Sequence, residues 1–419
     1  SGLQRLAKGT AGQELRINSG ATAPEWYTPG GGGLEMADQW RITANSSEAN
    51  QDLTSNWEQI DTTDNCQGTL GSAMSQSSGI FTFPSTGKYH VEFAANANST
   101  SDERYVGLYI QETVNNGTNW YLIDAVRGVT KEINSNNTDA EGTDATLIKS
   151  FNADGFTLGD GSLNQSGKEF ISWNWKANNQ GSSNTDGTIN STYTSASATS
   201  GFSIIKYTGT GANATVGHGL GIAPKMVMVK QTNTTKDWMI NHKFTNPDGT
   251  GAQYYMHLNN SDPRASNAAI WNNTDPTSSV FSLGTNSTDN DSGGTYIAYC
   301  FANVTGFSKM GSYTGNGNAD GIFNYTGFTP AFVMVKRTNT AENWFYYDNN
   351  RSPFNVRAKY LVADGTGTNS NADFCDFVSN GFKIRVSNAS FNQSGSSYLY
   401  MAFAEAPLVG SNNIPCTAR

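Results

Sequence analysis

The sequence predicts an all-β protein in which a jelly-roll-like N-terminal module precedes tandem β-sandwich modules. Two observations predict this class. The chain holds 9 Trp, 18 Tyr and 21 Phe, which is far more aromatic surface than a disordered chain carries. Its short apolar runs are separated by small polar turns, and no long stretch has helical periodicity. The 419 residues have room for about two to four modules.

One phrase of the sequence occurs twice. VMVKQTNTTKDW occupies 227–238 and VMVKRTNTAENW occupies 333–344. A catalytic motif is needed once, whereas a phrase repeated at domain spacing indicates an architectural module. Further shared phrases flank both occurrences. We therefore predict two complete β-sandwich copies, which cover 201–305 and 306–419, the second with a C-terminal tail.

A shorter copy precedes these two. Its ending, GFTLGDGSLNQSGKEFISWNWKAN at 155–178, matches the endings of the complete copies. The predicted partial module covers 120–200, and the text RYVGLYIQETVNNGTNW at 104–120 is a candidate for its first strand. Alignment of the copies gives six structural repeat positions: Trp120, Trp238, Trp344, Phe156, Phe281 and Phe382.

The last strand of each copy carries large apolar side chains at alternate positions. They are Ile171, Trp173 and Trp175, then Ile297, Tyr299 and Phe301, then Leu399, Met401 and Phe403. Successive strand residues point to opposite faces of a sheet, so these residues share one face. We predict that this face lies in the core. A platform for a sugar ring is the alternative interpretation of Trp173 and Trp175.

Comparison of the copies argues against metal and thiol chemistry. DNDSGG at 289–294 is similar to a calcium loop, but its counterparts in the other copies lack the carboxylates. The twelfth loop position is a cysteine, whereas an EF-hand needs Glu there. The four cysteines form no CxxC pair, and we interpret them as structural thiols, with a disulfide or metal role as the alternative. They are Cys66, Cys300, Cys375 and Cys416.

Acidic and histidine side chains form no consistent catalytic pattern. Asp124/Arg127 and Asp348/Arg351 align, but the middle copy has His242 at the Asp position, which indicates structural ion pairs. A glycosidase needs two carboxylates about 5–10 Å apart, and the loop pairs Asp102/Glu103 and Asp139/Glu141 have no counterparts in the other copies. No triad or ligand pair emerges from the histidines, which are His90, His218, His242 and His257. We predict no enzyme activity and no catalytic, metal or cofactor site.

The charge balance limits the classes of partner. The chain has 26 Lys+Arg against 35 Asp+Glu, a net charge of -9. Nucleic acids and anionic membrane surfaces both require a basic face. No apolar stretch approaches the roughly 20 residues of a membrane span. We therefore expect neither nucleic-acid binding nor membrane insertion.

The N-terminal segment differs in composition from the rest. GTAGQELRINSGATAPEWYTPGGGG ends in a flexible hinge made of Gly30, Gly31, Gly32 and Gly33. We predict that 1–36 is an attachment segment with one short strand in GQELRIN. The segment has no starting Met and no hydrophobic signal, so we expect a processed chain or part of a longer one.

A jelly-roll motif follows the hinge. It consists of Gly79, Phe81, Phe83, Pro84, Gly87, Tyr89 and Phe93. The motif resembles the globular-head jelly roll shared by complement and tumour-necrosis-factor-type proteins. The resemblance implies a jelly-roll-like domain over 37–119, placed near the axis of a homotrimer.

Nearly the whole chain resembles virion fibre proteins of marine tailed bacteriophages, in which segments like GTAGQELRINSGATAPEW precede jelly-roll heads and similar β modules recur. The resemblance implies a structural fibre or appendage protein on the virion surface, outside the cell, most simply a tail fibre that contributes to host attachment. Implied partners are identical copies in a homotrimer, virion proteins bound through the N-terminal segment, and a host-surface glycan or protein. A head fibre or capsid decoration protein, a secreted bacterial lectin-like adhesin and a tailspike glycan hydrolase remain alternatives.

Overall fold

The computed structural model describes residues 119–405, apart from 153–154, 246–250 and 368, together with short segments nearer the N-terminus. Those segments are 10, 13–17, 20, 22–27, 40–42, 57–59, 73–77, 80–82, 84 and 107–112. The chain forms two compact units, Ser1–Asn96 and Ala97–Arg419.

The first unit contains three antiparallel strand pairs among its described residues. They are β1 (Glu14–Ile17) with β2 (Pro24–Tyr27), β3 (Trp40–Ile42) with β4 (Trp57–Gln59), and β5 (Ser75–Ser77) with β6 (Ile80–Thr82). The predicted strand in GQELRIN corresponds to β1. Phe81 of the jelly-roll motif lies in β6, and its ring meets Trp40 edge to face at 5.4 Å. The glycine hinge and most of the predicted 37–119 domain lie outside the described residues.

The second unit is all-β, as predicted, and contains three modules in sequence. The first module, 107–174, has seven strands: β7 (Gly107–Glu112), β8 (Tyr121–Asp124), β9 (Lys131–Asn134), β10 (Gly142–Thr143), β11 (Ile148–Phe151), β12 (Phe156–Leu158) and β13 (Phe170–Asn174). Five of them form an antiparallel sheet in the order β10-β9-β8-β7-β13, and β11 pairs with β12. A 3-10 turn spans Ser162–Asn164. Strand β7 lies in the segment 104–120, which we predicted as a candidate first strand of this module. The sheet therefore extends across the predicted domain boundary between residues 119 and 120.

The second module, 193–301, has a seven-stranded sheet in the order β14-β15-β22-β17-β18-β19-β20 and a separate β16-β21 pair. The strands are β14 (Tyr193–Ser197), β15 (Phe202–Thr208), β16 (Ala214–Gly217), β17 (Met226–Gln231), β18 (Met239–His242), β19 (Tyr254–His257), β20 (Ala265–Ser266), β21 (Val280–Leu283) and β22 (Thr295–Phe301). Its helical turns are the 3-10 turn Gly251–Gln253, α1 (Ala268–Trp271) and α2 (Ser287–Asn290). Strand β14 precedes the predicted start of this copy at 201 and pairs with β15.

The third module, 308–404, has an eight-stranded sheet in the order β23-β30-β25-β26-β27-β28-β29-β24. The strands are β23 (Ser308–Thr314), β24 (Phe323–Tyr325), β25 (Pro330–Arg337), β26 (Phe345–Asp348), β27 (Arg357–Val362), β28 (Ser370–Val378), β29 (Gly381–Ile384) and β30 (Ser397–Ala404). Its helical turn is α3 (Ala389–Asn392).

The two complete copies share one strand order, as the repeat predicts. The run β15-β22-β17-β18-β19-β20 corresponds to β23-β30-β25-β26-β27-β28, and the β16-β21 pair corresponds to β24-β29. The register agrees as well. Met228 lies opposite Tyr299 in one module, and Met334 lies opposite Met401 at the same place in the other.

Each large sheet is buried on both faces. The outer face packs on a core within its own module, whereas the inner face contributes to one core shared by all three modules. The alternating face predicted to be apolar is the inner face. Its members in the second and third modules are buried in the shared core, and Ile171, Trp173 and Trp175 of the first module are half-buried against it. The three modules therefore share a single hydrophobic centre.

Candidate functional site at the junction of the three modules

The three repeat tryptophans close a ring of modules. Each indole Nε1 donates a hydrogen bond to a backbone carbonyl of a neighbouring module. The pairs are Trp238 with Asn134 at 2.8 Å, Trp344 with His257 at 2.8 Å, and Trp120 with Val362 at 2.6 Å. The second module thus binds the first, the third binds the second, and the first binds the third.

The three acceptors occupy one equivalent position. In each module, the residue that follows the tryptophan begins a strand. The acceptor of that module lies opposite this residue on the neighbouring strand. The ladder pairs are Tyr121 with Asn134, Met239 with His257, and Phe345 with Val362. A contact that repeats in this cyclic way gives the chain pseudo-threefold symmetry, so one chain builds an arrangement that symmetric oligomers build from three.

Backbone hydrogen bonds strengthen two of the three joints at matching positions, and a side-chain hydrogen bond strengthens the third. Between the second and first modules, Lys236 N donates to Thr138 O at 2.9 Å, and Glu141 N donates to Thr232 O at 2.8 Å. The joint between the third and second modules repeats both bonds at 2.8 Å, and its pairs are Glu342 with Ser261 and Arg264 with Thr338. At the remaining joint, the Ser135 hydroxyl donates to Ala363 O at 2.7 Å.

A buried lysine accompanies the tryptophan at two of the joints. Lys230 Nζ donates to Thr138 O at 3.3 Å, and Lys336 Nζ donates to Ser261 O at 2.8 Å. Both side chains are fully buried. Burial lowers the pKa of each ammonium to about 8, and nearby carboxylates only partly offset that effect. An amine of this kind resembles a catalytic base, but here its hydrogen bonds hold neighbouring loops.

The predicted ion pairs form, and they also face neighbouring modules. Arg127 Nε lies 2.6 Å from Asp124 Oδ2, to which the Tyr299 hydroxyl of the second module donates at 2.7 Å. Burial opposes the charge on Arg127, but Asp124, Tyr299 and Glu141 together outweigh this effect and raise the arginine pKa above its ordinary value. Arg351 pairs with Asp348 at 2.5 Å, and its guanidinium lies 5.9 Å from the Trp173 ring of the first module.

His242 occupies the equivalent position in the second module. Its side chain is fully buried. Nδ1 accepts a hydrogen bond from Phe244 N at 3.2 Å, and the ring interacts with the backbone of Tyr400 in the third module. Burial lowers the pKa of the imidazole to about 4, so the ring is neutral at physiological pH. The three modules thus place an ion pair, a neutral ring and an ion pair at equivalent joints, which is structural use of polar groups rather than a shared reaction.

The centre of the ring is apolar and nearly filled. A cavity of ≈ 50 Å³ lies there, and each module contributes to its lining, for example through Trp173, Met228 and Met334. Trp173 stacks on Trp120 at 5.5 Å, and Trp175 meets Phe403 edge to face at 5.5 Å. The core interpretation of Trp173 and Trp175 is therefore confirmed. A cavity of this size holds only a few water molecules.

The structure brings the three repeat tryptophans together but separates the three repeat phenylalanines. Phe281 and Phe382 are buried in the outer cores of their own modules, and Phe156 packs on the outer core of the first. Cys300 and Cys375 are buried free thiols, in agreement with a structural role, and burial raises the pKa of both. Cys66 and Cys416 lie outside the described residues.

The calcium-like loop places its first carboxylate in the protein interior. Asp289 is fully buried, and neither carboxylate oxygen has a hydrogen-bond partner in the described part of the chain. Burial raises its pKa well above the ordinary value, which favours the protonated form of the carboxyl group. The equivalent residue of the third module is the core residue Phe391. Among the described residues, no group of three or more His, Cys, Asp or Glu side chains is placed to hold a metal ion.

The remaining candidates make local contacts. Glu141 lies 3.5 Å from Arg127 and 3.6 Å from Lys131, while Asp139 accepts a hydrogen bond from Asn137. His218 and His257 contact backbone carbonyls at 3.1 and 3.3 Å. The Asp102/Glu103 pair and His90 lie outside the described residues.

Sequence reasoning missed the joints between modules. It identified the inner face as a core but assigned that core to single modules. One signal was available: strand β22 carries apolar residues at adjacent as well as alternate positions, such as Tyr296 beside Ile297. Strands that are apolar on both faces are buried on both faces, which requires a second packing partner.

Comparison with known families fits this closed unit. A model for a domain of unknown function, DUF7483, matches residues 107–407. The chain belongs to the DUF7483 family. Strand β7 begins at Gly107 and β30 ends at Ala404, so the DUF7483 unit is the complete three-module ring rather than one repeat. Comparison with curated proteins and with solved structures gives no match. None of the helices in the described part of the chain has the length and apolar character needed to span a membrane.

Proposed function

We propose that the chain is a structural fibre or appendage protein of a bacteriophage virion, in which the DUF7483 ring forms an outward-facing head. The resemblance of the N-terminal segment and of the repeated modules to virion fibre proteins supports this proposal. The observation that carries it is the use of the ring's buried polar groups. Indoles, lysines and ion pairs at equivalent positions bind module to module, as a rigid structural body requires.

In this proposal the N-terminal segment attaches the chain to other virion proteins, and the 37–119 region assembles three chains into a homotrimer outside the cell. The three-module ring is complete within one chain, so a trimer would present three rings. A tail fibre with such heads would contribute to attachment at a host-surface glycan or protein. No hydrolytic step is proposed, because the candidate carboxylates Asp124, Asp348 and Asp139 are held in ion pairs or local hydrogen bonds.

Antibody labelling of intact particles tests the proposal. Antibodies raised against the recombinant ring should label appendages of phage particles that carry this gene, and preincubation with free recombinant ring should remove the label. Labelling at tails favours the tail fibre, whereas labelling over capsids favours the head fibre or decoration protein. Particles without label, together with labelled bacterial cell surfaces, would contradict a virion role and favour the secreted adhesin.

A further inference from the structure

The third module exposes two aromatic side chains on its terminal strand. Phe323 and Tyr325 lie in β24, and 44% and 59% of their surfaces are exposed. They are alternate residues of one strand, so they share a face, and their Cα atoms are about 7 Å apart. Between them, Asn324 points inward and is buried. Exposed apolar residues scattered singly are ordinary on protein surfaces, but an adjacent aromatic pair is a feature to explain.

The second module shows that the fold does not need these aromatics. Because β24-β29 corresponds to β16-β21, Phe323 corresponds to Thr215 and Tyr325 corresponds to Gly217. In the second module this place is covered by the chain itself. Thr188 N donates to the Thr215 hydroxyl at 2.9 Å, and Ile189 N donates to Thr215 O at 2.9 Å.

The cover of the second module cannot be repeated on the third. A Cβ atom on Gly217 would collide with the side-chain amide of Asn184, so a strand seated in that manner excludes a tyrosine. The connection into the third module is also short, since β22 ends at Phe301 and β23 begins at Ser308. Among the described residues no segment takes the place of this cover in the third module. The aromatic pair is therefore not shaped for a polypeptide strand docked as in the second module.

Charged groups flank the aromatic pair on the same face. Phe323 lies opposite Lys383 in the β24-β29 ladder, and Lys383 lies opposite Asp376 in the next ladder. Lys383 pairs with Asp320 at 2.8 Å, and Arg385 pairs with Asp376 at 3.4 Å. The two cations and two carboxylates balance, so this surface offers many hydrogen-bond donors and acceptors without a net charge.

We propose that this face, formed by Phe323, Tyr325, Lys383, Asp320, Arg385 and Asp376, binds a neutral polysaccharide. The exposed rings provide flat apolar surfaces for the C–H faces of sugar rings, and aromatic side chains supply much binding surface with little conformational freedom to lose. The flanking groups bind hydroxyls. An anionic glycan would require an unpaired cation, and both cations here are paired. The inference deepens the proposed attachment function, on which it rests, by placing the receptor site on the third module.

Glycan binding by the full-length chain tests the site. We would measure the affinity for laminarin, dextran, mannan and cellohexaose, with heparin as an anionic comparison. We expect the wild-type chain to bind at least one neutral glycan, and Phe323→Ala and Tyr325→Ala each to weaken that binding at least about tenfold. The matched control is Ile222→Ala, which removes a side chain of similar exposure, 43%, from the second module. This control should bind like the wild type. All variants should unfold cooperatively, with Tm values within about a few degrees of the wild type, because the changed side chains are 43–59% exposed.

Several results would overturn the assignment. They are failure of the wild type to bind any of the four neutral glycans, binding only to heparin, and neutral-glycan binding that persists in the double variant Phe323→Ala/Tyr325→Ala. Self-association that the double variant abolishes would instead assign the face to a second copy of the chain. Antibody labelling of particles tests the virion role separately from the glycan site. If the chain is found on particles but its aromatic variants still bind glycan, only the proposed site is refuted.

Discussion

Replacement of Trp238 with Phe tests whether the three modules are stabilised as one ring. Trp238 is fully buried, and its indole donates to Asn134 O of the first module. The change leaves that carbonyl without its donor, which costs about 1–3 kcal/mol. Lost packing around the smaller ring adds about 1–2 kcal/mol. We expect the free energy of unfolding to fall by about 2–5 kcal/mol, which corresponds to about a 30- to 5,000-fold rise in the unfolded population.

Hydrogen exchange measured by mass spectrometry shows which strands lose stability in Trp238→Phe. In a closed ring, peptides from β8, β17 and β25 should exchange faster together, although only the second module carries the change. The matched control is Trp271→Phe. Trp271 is also buried, but it packs within the outer core of the second module, and its indole has no partner among the described residues. The control loses similar volume and no hydrogen bond, so its cost should be about 1–3 kcal/mol smaller.

The outcome that refutes this reasoning is local. If Trp238→Phe accelerates exchange only in the second module, the modules are independent bodies that touch. Equal costs for Trp238→Phe and Trp271→Phe would show that packing alone, rather than the joint, accounts for the loss.

Three further predictions follow from buried groups and from the proposed assembly. For Lys230 and Lys336, the pKa of about 8 in the folded chain lies below the ordinary 10.5. Between these two pH values the unfolded chain holds protons that the folded chain has released. Stability should therefore rise with pH, by about 2 kcal/mol per lysine between about pH 7 and 9.5. Urea unfolding of the Lys230→Met/Lys336→Met variant should lack this rise, and a slope that persists in the variant would assign it to other groups. Asp289 has a raised pKa, so its contribution to stability is present in acid and is lost as pH rises. At pH 7 the free energy of unfolding of Asp289→Asn should therefore exceed that of the wild type by on the order of 1 kcal/mol. In thermal unfolding measurements, the difference between the two proteins should shrink towards pH 4. Light scattering of the full chain should give the mass of a homotrimer, and a stable monomer at micromolar concentration with a folded 37–119 region would refute the proposed assembly.

The sequence was sufficient for the modules and insufficient for their assembly. Repeated phrases located the strands and the equivalent tryptophans, because strand alternation and turn residues are local properties. Alternation at Ile297, Tyr299 and Phe301 indicates that a face is buried but does not identify what covers it. The joints depend on contacts between residues more than a hundred positions apart, such as Trp238 with Asn134, and no local pattern encodes such a pairing.

The aromatic face of the third module was missed for a related reason. Strands β16 and β24 are short, and their sequences, ATVG and FNY, share no residue. Their equivalence became visible only through their pairing with β21 and β29. Comparison of the copies is informative where their sequences are similar. The residues that distinguish one copy from another lie in segments whose sequences differ.

The central claim, that the chain is a virion appendage carrying a closed three-module head, is tested most directly by cryo-electron tomography of intact particles. Subtomogram averages of appendages from phage particles that carry this gene should contain density that fits the ring of residues 107–405 at a distal, solvent-facing position. Antibody against the ring should add density at the same place. Two findings together would contradict the account: appendages without such a ring, and purified particles that do not contain this chain among their proteins.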